Sequence, residues 1–417
     1  MTDPMPRLTF VDRSLAMLLE GYDFIGTRCR RYGSDVFESR LLMQRTVCMQ
    51  GAEAARLFYD PERFRRAGSP PRRMRKTLLG EGSVLEFDGE MHRARKQMFL
   101  SMMAPESVQR LARLARREWR RRLPRWESAG RVVLHREVRE IHCRAVCTWA
   151  GVPLPDREVP RTAALLGALV DSPATVGPQY LRGRIARLRL EGWTGDVVDR
   201  VRRGALAVPP DTPVRIIATH RDANGRLLDR HTAAVELLNV LRPTVAVARF
   251  VVFAALALHH HPEWRARVRA GDDRDLELFV HEVRRFYPFF PMVVARVRSA
   301  FEWRRLRFRT GQRVLLDIYG TNRDPRRWRQ PDEFHPERFR DRAEDAFDFI
   351  PQGGADHDGN HRCAGEWVTI ELMKTAVRVL TQEMKYDVPP QDLTVPLSRI
   401  PALPNSGFVI SPSASAR

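Results

Sequence analysis

Residues 347–367 read FDFIPQGGADHDGNHRCAGEW. Gly353, Gly354 and Gly359 predict a flexible loop, and Cys363-Ala364-Gly365 leads into an apolar-periodic stretch, GEWVTIELMKTAVRVLTQEM, that predicts a helix. A cysteine at that junction faces the positive end of the helix dipole, which favours a thiolate. His361 and Arg362 beside it act in the same sense. Such a thiolate serves as a nucleophile or as a metal ligand, and the loop alone does not choose between them.

Working outward, two weaker motifs precede it. Glu282 and Arg285 lie three apart on a predicted helix and can pair. By itself such a pair reads as surface decoration. PDEFHPERF, residues 331–339, places Arg338 between Glu337 and Phe339. In this order and spacing the three segments resemble the haem-thiolate cytochromes, the cytochrome P450 superfamily. The resemblance implies a single haem domain over residues 1–417, mainly α with small β-sheets. The haem is expected between a long central helix and the helix after the Cys loop. It further implies haem b as cofactor, Cys363 as axial ligand of the iron, and Glu282, Arg285 and Arg338 as a structural triad. A thiolate ligand pushes electron density toward oxygen bound on the opposite side and favours O–O cleavage. Haem propionates need cations; His92 and Lys96, one helical turn apart in DGEMHRARKQMF (88–99), are expected to hold them, with Arg66 and Arg362 as further candidates.

The coarse pattern agrees with that fold. SDVFESRLLMQRTVCMQ (34–50) predicts an early hairpin, helices dominate from about 91 to 285, and FEWRRLRFRTGQRVLLDIYG (301–320) returns to strands. LPNSGFVIS (403–411) reads as a hairpin end turning at Asn405-Ser406-Gly407. No repeat or low-complexity linker divides the 417 residues.

The longest apolar run, AAVELLNVLRPTVAVARFVVFAALAL (233–258), breaks two rules side by side. Arg242 is a cation among apolar residues, costly unless paired. Pro243 removes the donor for the carbonyl of Asn239, at a cost of roughly 3 kcal/mol. Paired violations mark functional positions more than packing. The plain alternative for Arg242 is an internal salt bridge with Glu236 or another core acid. Oxygen-activating members of the superfamily carry an acid followed by an alcohol here. This chain has Arg242 and Pro243 ahead of Thr244. The Arg-Pro pair, with GAEAARLFYDPERF, EIHCRAVCTWAGVPL, LLDIYGTNRDP and FIPQGG, resembles the fatty-acid peroxygenase branch.

That resemblance implies hydrogen peroxide as co-substrate, Arg242 and Pro243 as catalytic residues and a fatty-acid carboxylate held by Arg242. The held carboxylate would act as general acid–base, giving oxidation at the α or β carbon with some decarboxylation to terminal alkenes. No obligatory redox partner is expected. Leu85 stands where the branch usually has Gln or His, so hydroxylation is expected to outweigh alkene formation. Leu79 and Pro173 replace aromatics of relatives, and Val170, Phe289 and Met292 are expected as further pocket walls. A redox-partner-dependent monooxygenase and a non-catalytic haem protein are the competing readings.

The net charge of +20 comes from 71 basic against 51 acidic residues, and only Lys76, Lys96, Lys374 and Lys385 are lysines. The arginines are dispersed and accompanied by acids, which argues against a nucleic-acid-binding face and for a general arginine bias. The polar, proline-interrupted N-terminal stretch shows neither signal peptide nor membrane anchor, so a cytoplasmic location is expected. Five cysteines in so long a chain argue against a disulfide framework, and Cys143 and Cys147 read as buried thiols. His259-His260-His261 before Pro262 read as a solvated helix end.

Overall fold

The computed structural model describes residues 5–222 and 224–413. Helices carry most of the chain, and the sheets are small. The predicted hairpin is present: Val36–Leu41 pairs antiparallel with Gln44–Met49 from Val36↔Met49 to Leu41↔Gln44. It joins a six-stranded sheet in the order Arg7–Asp12, Val36–Leu41, Gln44–Met49, Arg313–Asp317, Met292–Val297, Phe64–Arg65. The tail differs from the sequence expectation. A turn does occupy Asn405-Ser406, but the strand after it, Val409–Ser413, pairs with Lys385–Asp387 and Val132–Val133. The turn therefore redirects a long return segment and does not close a hairpin, because the strand's partners lie far away in sequence.

The helical layer surrounds one long apolar helix. Asp229 caps it by accepting from the backbone N–H of Thr232, 2.9 Å. Arg230–Ala246 and Ala248–His260 follow, broken at Val247, four residues after Pro243. There the Val247 N–H divides between the carbonyls of Pro243 and Thr244, at 3.2 and 3.3 Å. A helix that is apolar all round must be buried all round. Across Arg230–His260 the most apolar window is 94% buried inside the protein, so its length and composition reflect a core helix. Helices Leu134–Ala150, Val159–Asp171 and Pro178–Arg202 pack against its first half; Asp273–Phe286 and Glu366–Arg378 pack against its second. Arg249, the other cation of the run, is buried and paired with Asp171. Cys143 and Cys147 are buried free thiols, and His259 and His260 are exposed at the helix end.

Candidate functional site

Cys363 stands three residues before the helix Glu366–Arg378, behind Gly365. Its backbone N–H donates to the Gln352 carbonyl, 3.0 Å, and so closes the loop. The loop is not the loose segment its glycines suggest. Gly353 has φ +99°, and a β carbon there would meet Arg362 Cα at 3.2 Å. At Gly354 it would meet the Ala346 carbonyl at 2.8 Å. These glycines permit close backbone approach and rigidity.

The dipole argument for a thiolate also needs correction. Burial pushes the Cys363 thiol up, and the Gly365 N–H, Lys96 and the Gln352 side chain only partly oppose it. The first cost of a buried anion is desolvation, which one helix end does not offset. A thiolate at Cys363 therefore calls for a metal cation bonded to it. Among the described residues no group of three or more His, Cys, Asp or Glu side chains is placed to hold a metal ion. A single thiolate suits an iron whose remaining protein-independent ligands come from a macrocycle.

Two cations and two imidazole donors suited to the propionates of such a macrocycle converge beside the loop. His92 and His361 stack with ring centroids 3.8 Å apart, and both are largely buried. Burial first, then repulsion from neighbouring cations, lowers His92 to about 3; burial, opposed by Asp88, lowers His361 to about 4. Arg66 donates through Nη1 to the Val294 carbonyl, 2.9 Å, and lies 4.3 Å above the Phe58 ring. Lys96 is buried, and its ammonium donates to the carbonyls of Asn360 and Arg362. The acid in direct contact with this cluster, Asp88, is occupied by the N–H groups of Arg66 and Ala67 and by His361 at 3.6 Å. Four basic groups against one engaged carboxylate suit the two propionates of a haem. His361 is the member that sequence reasoning assigned only to the thiolate; its place two residues before Cys363 was the available signal.

Arg362 borders this cluster and also makes an ion pair of its own. Its Nε donates to Glu366 Oε2 at 2.7 Å, and Glu366 also binds the fully buried Arg284. That ion pair engages the Nε edge of Arg362. Burial pushes the Glu366 carboxyl up, but Arg284 and Arg362 outweigh it and hold the group at about 2. The trio ties helix Asp273–Phe286 to the Cys loop. Glu366→Gln is expected to cost roughly 3–5 kcal/mol, because the fully buried Arg284 loses its anion and half-buried Arg362 loses it too. The depressed carboxyl contributes stability above its ordinary value of 4.5 that is lost as pH falls through about 2. Acid titration of unfolding should show this loss in wild type and not in the variant; coincident curves would refute it.

Glu282 and Arg285 are buried and joined by two hydrogen bonds, Nε to Oε2 at 2.7 Å and Nη2 to Oε1 at 2.8 Å. Arg338 Nε reaches Glu282 Oε1 at 3.3 Å, and the His335 N–H donates to the same oxygen at 2.7 Å. Arg285 also binds the carbonyls of Asn322, Pro331 and Glu333. The surface-decoration reading of this pair fails because the loop 331–339 folds over it and excludes water.

Arg242 lies on the central helix, where a thiolate at Cys363 would favour its charged form. Burial, then Arg187, push its guanidinium down to about 9, so it stays charged at neutral pH. It makes no ion pair among the described residues, and its Nη1 is buried without a hydrogen-bond partner there. The salt bridge to Glu236 does not form. Glu236 instead accepts from Arg95 at 2.6 Å, Val84 N–H at 2.8 Å and Asn239 Nδ2 at 2.8 Å. The bond to Val84 holds the turn Val84–Glu86, and with it Leu85, against the central helix. Thr244 returns its hydroxyl to the Val240 carbonyl, 2.9 Å, as a helical threonine does when it serves its own backbone.

Of the expected pocket walls, Val170, Phe289 and partly buried Leu85 share the main core, and Phe289 meets Phe250 of the central helix edge-on at 4.8 Å. Leu79 ends the turn Arg75–Leu79, and Pro173 follows helix Val159–Asp171; both are half-buried. Met292 starts a sheet strand, and one side of it packs on the cluster of Phe24 and Phe37.

The family model described as Cytochrome P450 matches residues 276–410. The solved structure of Cytochrome P450SP alpha (CYP152B1) in complex with (R)-ibuprophen is 49% identical over 96% of this chain and 98% of its own, with a TM-score of 0.94. Cytochrome P450EX alpha (CYP152N1) wild-type with myristic acid is 44% identical over 98% of both chains, TM-score 0.94. A variant of cytochrome P450 OleT in complex with arachidonic acid is 33% identical over 99% of this chain and 100% of its own, TM-score 0.96. With a thiol loop, a cation cluster and a buried arginine on matching folds over nearly the whole length, the chain belongs to the cytochrome P450 family, in its CYP152 group of haem-thiolate fatty-acid peroxygenases.

Proposed function

We propose that this chain works as one domain that uses hydrogen peroxide to hydroxylate a fatty acid at the α or β carbon, with Arg242 as the carboxylate anchor. The observation that carries this is the buried guanidinium of Arg242, charged and without an ion pair among the described residues. In apolar surroundings such a cation is costly until an anion arrives, and a carboxylate matches its planar fork. Myristic acid in the Cytochrome P450EX alpha structure is a ligand of that kind.

Cys363 would hold the haem iron, and Arg66, His92, Lys96 and His361 its propionates. Bound haem supplies cleavage of the peroxide O–O bond and the oxidant that attacks a C–H bond. The rest falls to the substrate and the chain. The anchored carboxylate takes a proton from peroxide and returns it to the departing oxygen, so that R–H and H₂O₂ become R–OH and H₂O. Thr244 is committed to its own helix and leaves that proton work to the substrate. Holding the head group brings the α and β carbons nearest the oxidant, a proximity effect. Pro243 shapes the helix at this point by leaving the Asn239 carbonyl without its donor.

Leu85 offers no hydrogen bond to the head group, and hydroxy acids are accordingly expected to exceed terminal alkenes. Gas chromatography of the products of myristate and peroxide checks this; a dominant alkene would reverse it. Peroxide-driven turnover of acids from octanoic to octadecanoic, with no reductase present, tests the whole proposal. Dependence on NAD(P)H and a redox partner would transfer it to the monooxygenase reading. Normal haem loading with no turnover of any acid would leave a binding protein. A cytoplasmic location is part of this proposal; among the described residues the helix long and apolar enough to cross a membrane is buried in the core.

A further inference from the structure

A second buried arginine faces the same stretch of the central helix. Arg187 lies on helix Pro178–Arg202 and is 1% exposed. Its Nε donates to Glu191 Oε1 at 2.5 Å. Its Nη1 is only 3.4 Å from the Leu78 carbonyl, a long and weak contact, and its Nη2 has no hydrogen-bond partner among the described residues. The fold makes room for that nitrogen. Gly80, with φ +87°, would place a β carbon 1.9 Å from Arg187 Nη2 and 2.5 Å from Val235 Cγ1. Any side chain at residue 80 would evict the guanidinium.

Val235 locates the niche. On the central helix Val235, Asn239 and Arg242 follow at spacings of four and three and so share a face. Along this face Asn239 Oδ1 and Arg242 Nη1 are also buried without partners. Arg187 is moreover the like charge that Arg242 feels most. Three orphaned polar atoms on two packed helices are hard to explain as packing, since each costs about 1–3 kcal/mol. Two of them are guanidinium N–H groups, which can only donate and therefore call for an anionic or carbonyl oxygen.

We propose that Arg187 is a second anchor of the substrate head group, donating from Nη2 toward the carboxylate held by Arg242. This rests on the fatty-acid reading and adds a residue to it. Arg187 supplies the polar contact that Leu85 cannot. Its own charge is balanced by Glu191, so it adds direction to the site more than net charge.

The test uses the haem-loaded enzyme and two ligands of equal chain length, myristate and tetradecan-1-ol, with affinities measured by calorimetry. Arg187→Met removes the donors and keeps the bulk. The double variant Arg187→Met/Glu191→Gln also removes the orphaned carboxylate and guards against misfolding. Both are expected to weaken myristate about ten- to a hundredfold, as loss of a charged hydrogen bond does, and to leave the alcohol within about twofold. The ratio of α- to β-hydroxy products should shift as well, and Arg187→Lys should restore part of the affinity. Unchanged myristate affinity and product ratio in the double variant, or equal weakening of both ligands, overturns the role of Arg187. Failure of the wild type to bind or oxidise any fatty acid overturns the functional reading, and this proposal with it.

Discussion

Arg242→Ala is expected to lower peroxide-driven oxidation of myristate by roughly 10²–10⁴-fold, the usual worth of a positioned acid–base group. The substitution removes a buried cation that makes no ion pair among the described residues, and with it the reason for the carboxylate to stay. The carboxylate would then neither anchor the chain nor shuttle the peroxide proton. Haem content should be unaffected, since Arg242 takes no part in the cation cluster at Arg66, His92, Lys96 and His361. Arg242→Lys keeps the charge but loses the two-pronged geometry, and an intermediate rate is expected. Turnover measured at saturating peroxide, with haem loading as control, decides the matter; a rate near wild type in Arg242→Ala would remove the substrate-assisted mechanism.

Cys363→Ala is expected to abolish turnover altogether and to remove the thiolate signature from the absorption spectrum of the reduced, carbon-monoxide-treated protein. No other thiol can substitute: Cys29, Cys48, Cys143 and Cys147 are all buried in separate parts of the fold. The loop itself should survive, because its closing bond runs from the backbone of residue 363 to Gln352 and Lys96 binds the carbonyls of residues 360 and 362. Turnover or a thiolate spectrum in the variant would show that another group ligates the iron.

Much of the site was legible in the chain because its determinants are local. A cysteine before a helix, His92 and Lys96 one turn apart, and Glu282 three before Arg285 lie within single segments, and helical spacing places each set. The Arg-Pro breach inside an apolar run also needed no neighbours to be noticed. What those groups bind does depend on neighbours. Arg362 showed no partner until Glu366 met its Nε, and an internal bridge from Arg242 to Glu236 stayed open until Arg95 filled the acid. The return strand Val409–Ser413 went astray for the same reason, since its partners lie 22 or more residues away in sequence.

The sequence by itself determined the helical class, the thiol loop, the Glu282–Arg285 spacing and the Arg-Pro breach, because each follows from spacing within a segment; the place of Arg338 in a triad came from the family resemblance. Only the tertiary structure decided which charges are spent on one another and which are left over. Ion pairing is settled by distance in space: Arg95 and Glu236 are 141 positions apart, and Arg284 and Glu366 are 82. Arg187 was invisible for that reason, one arginine among many until the niche at Gly80 set its unpartnered nitrogen beside the face of the central helix that carries Arg242.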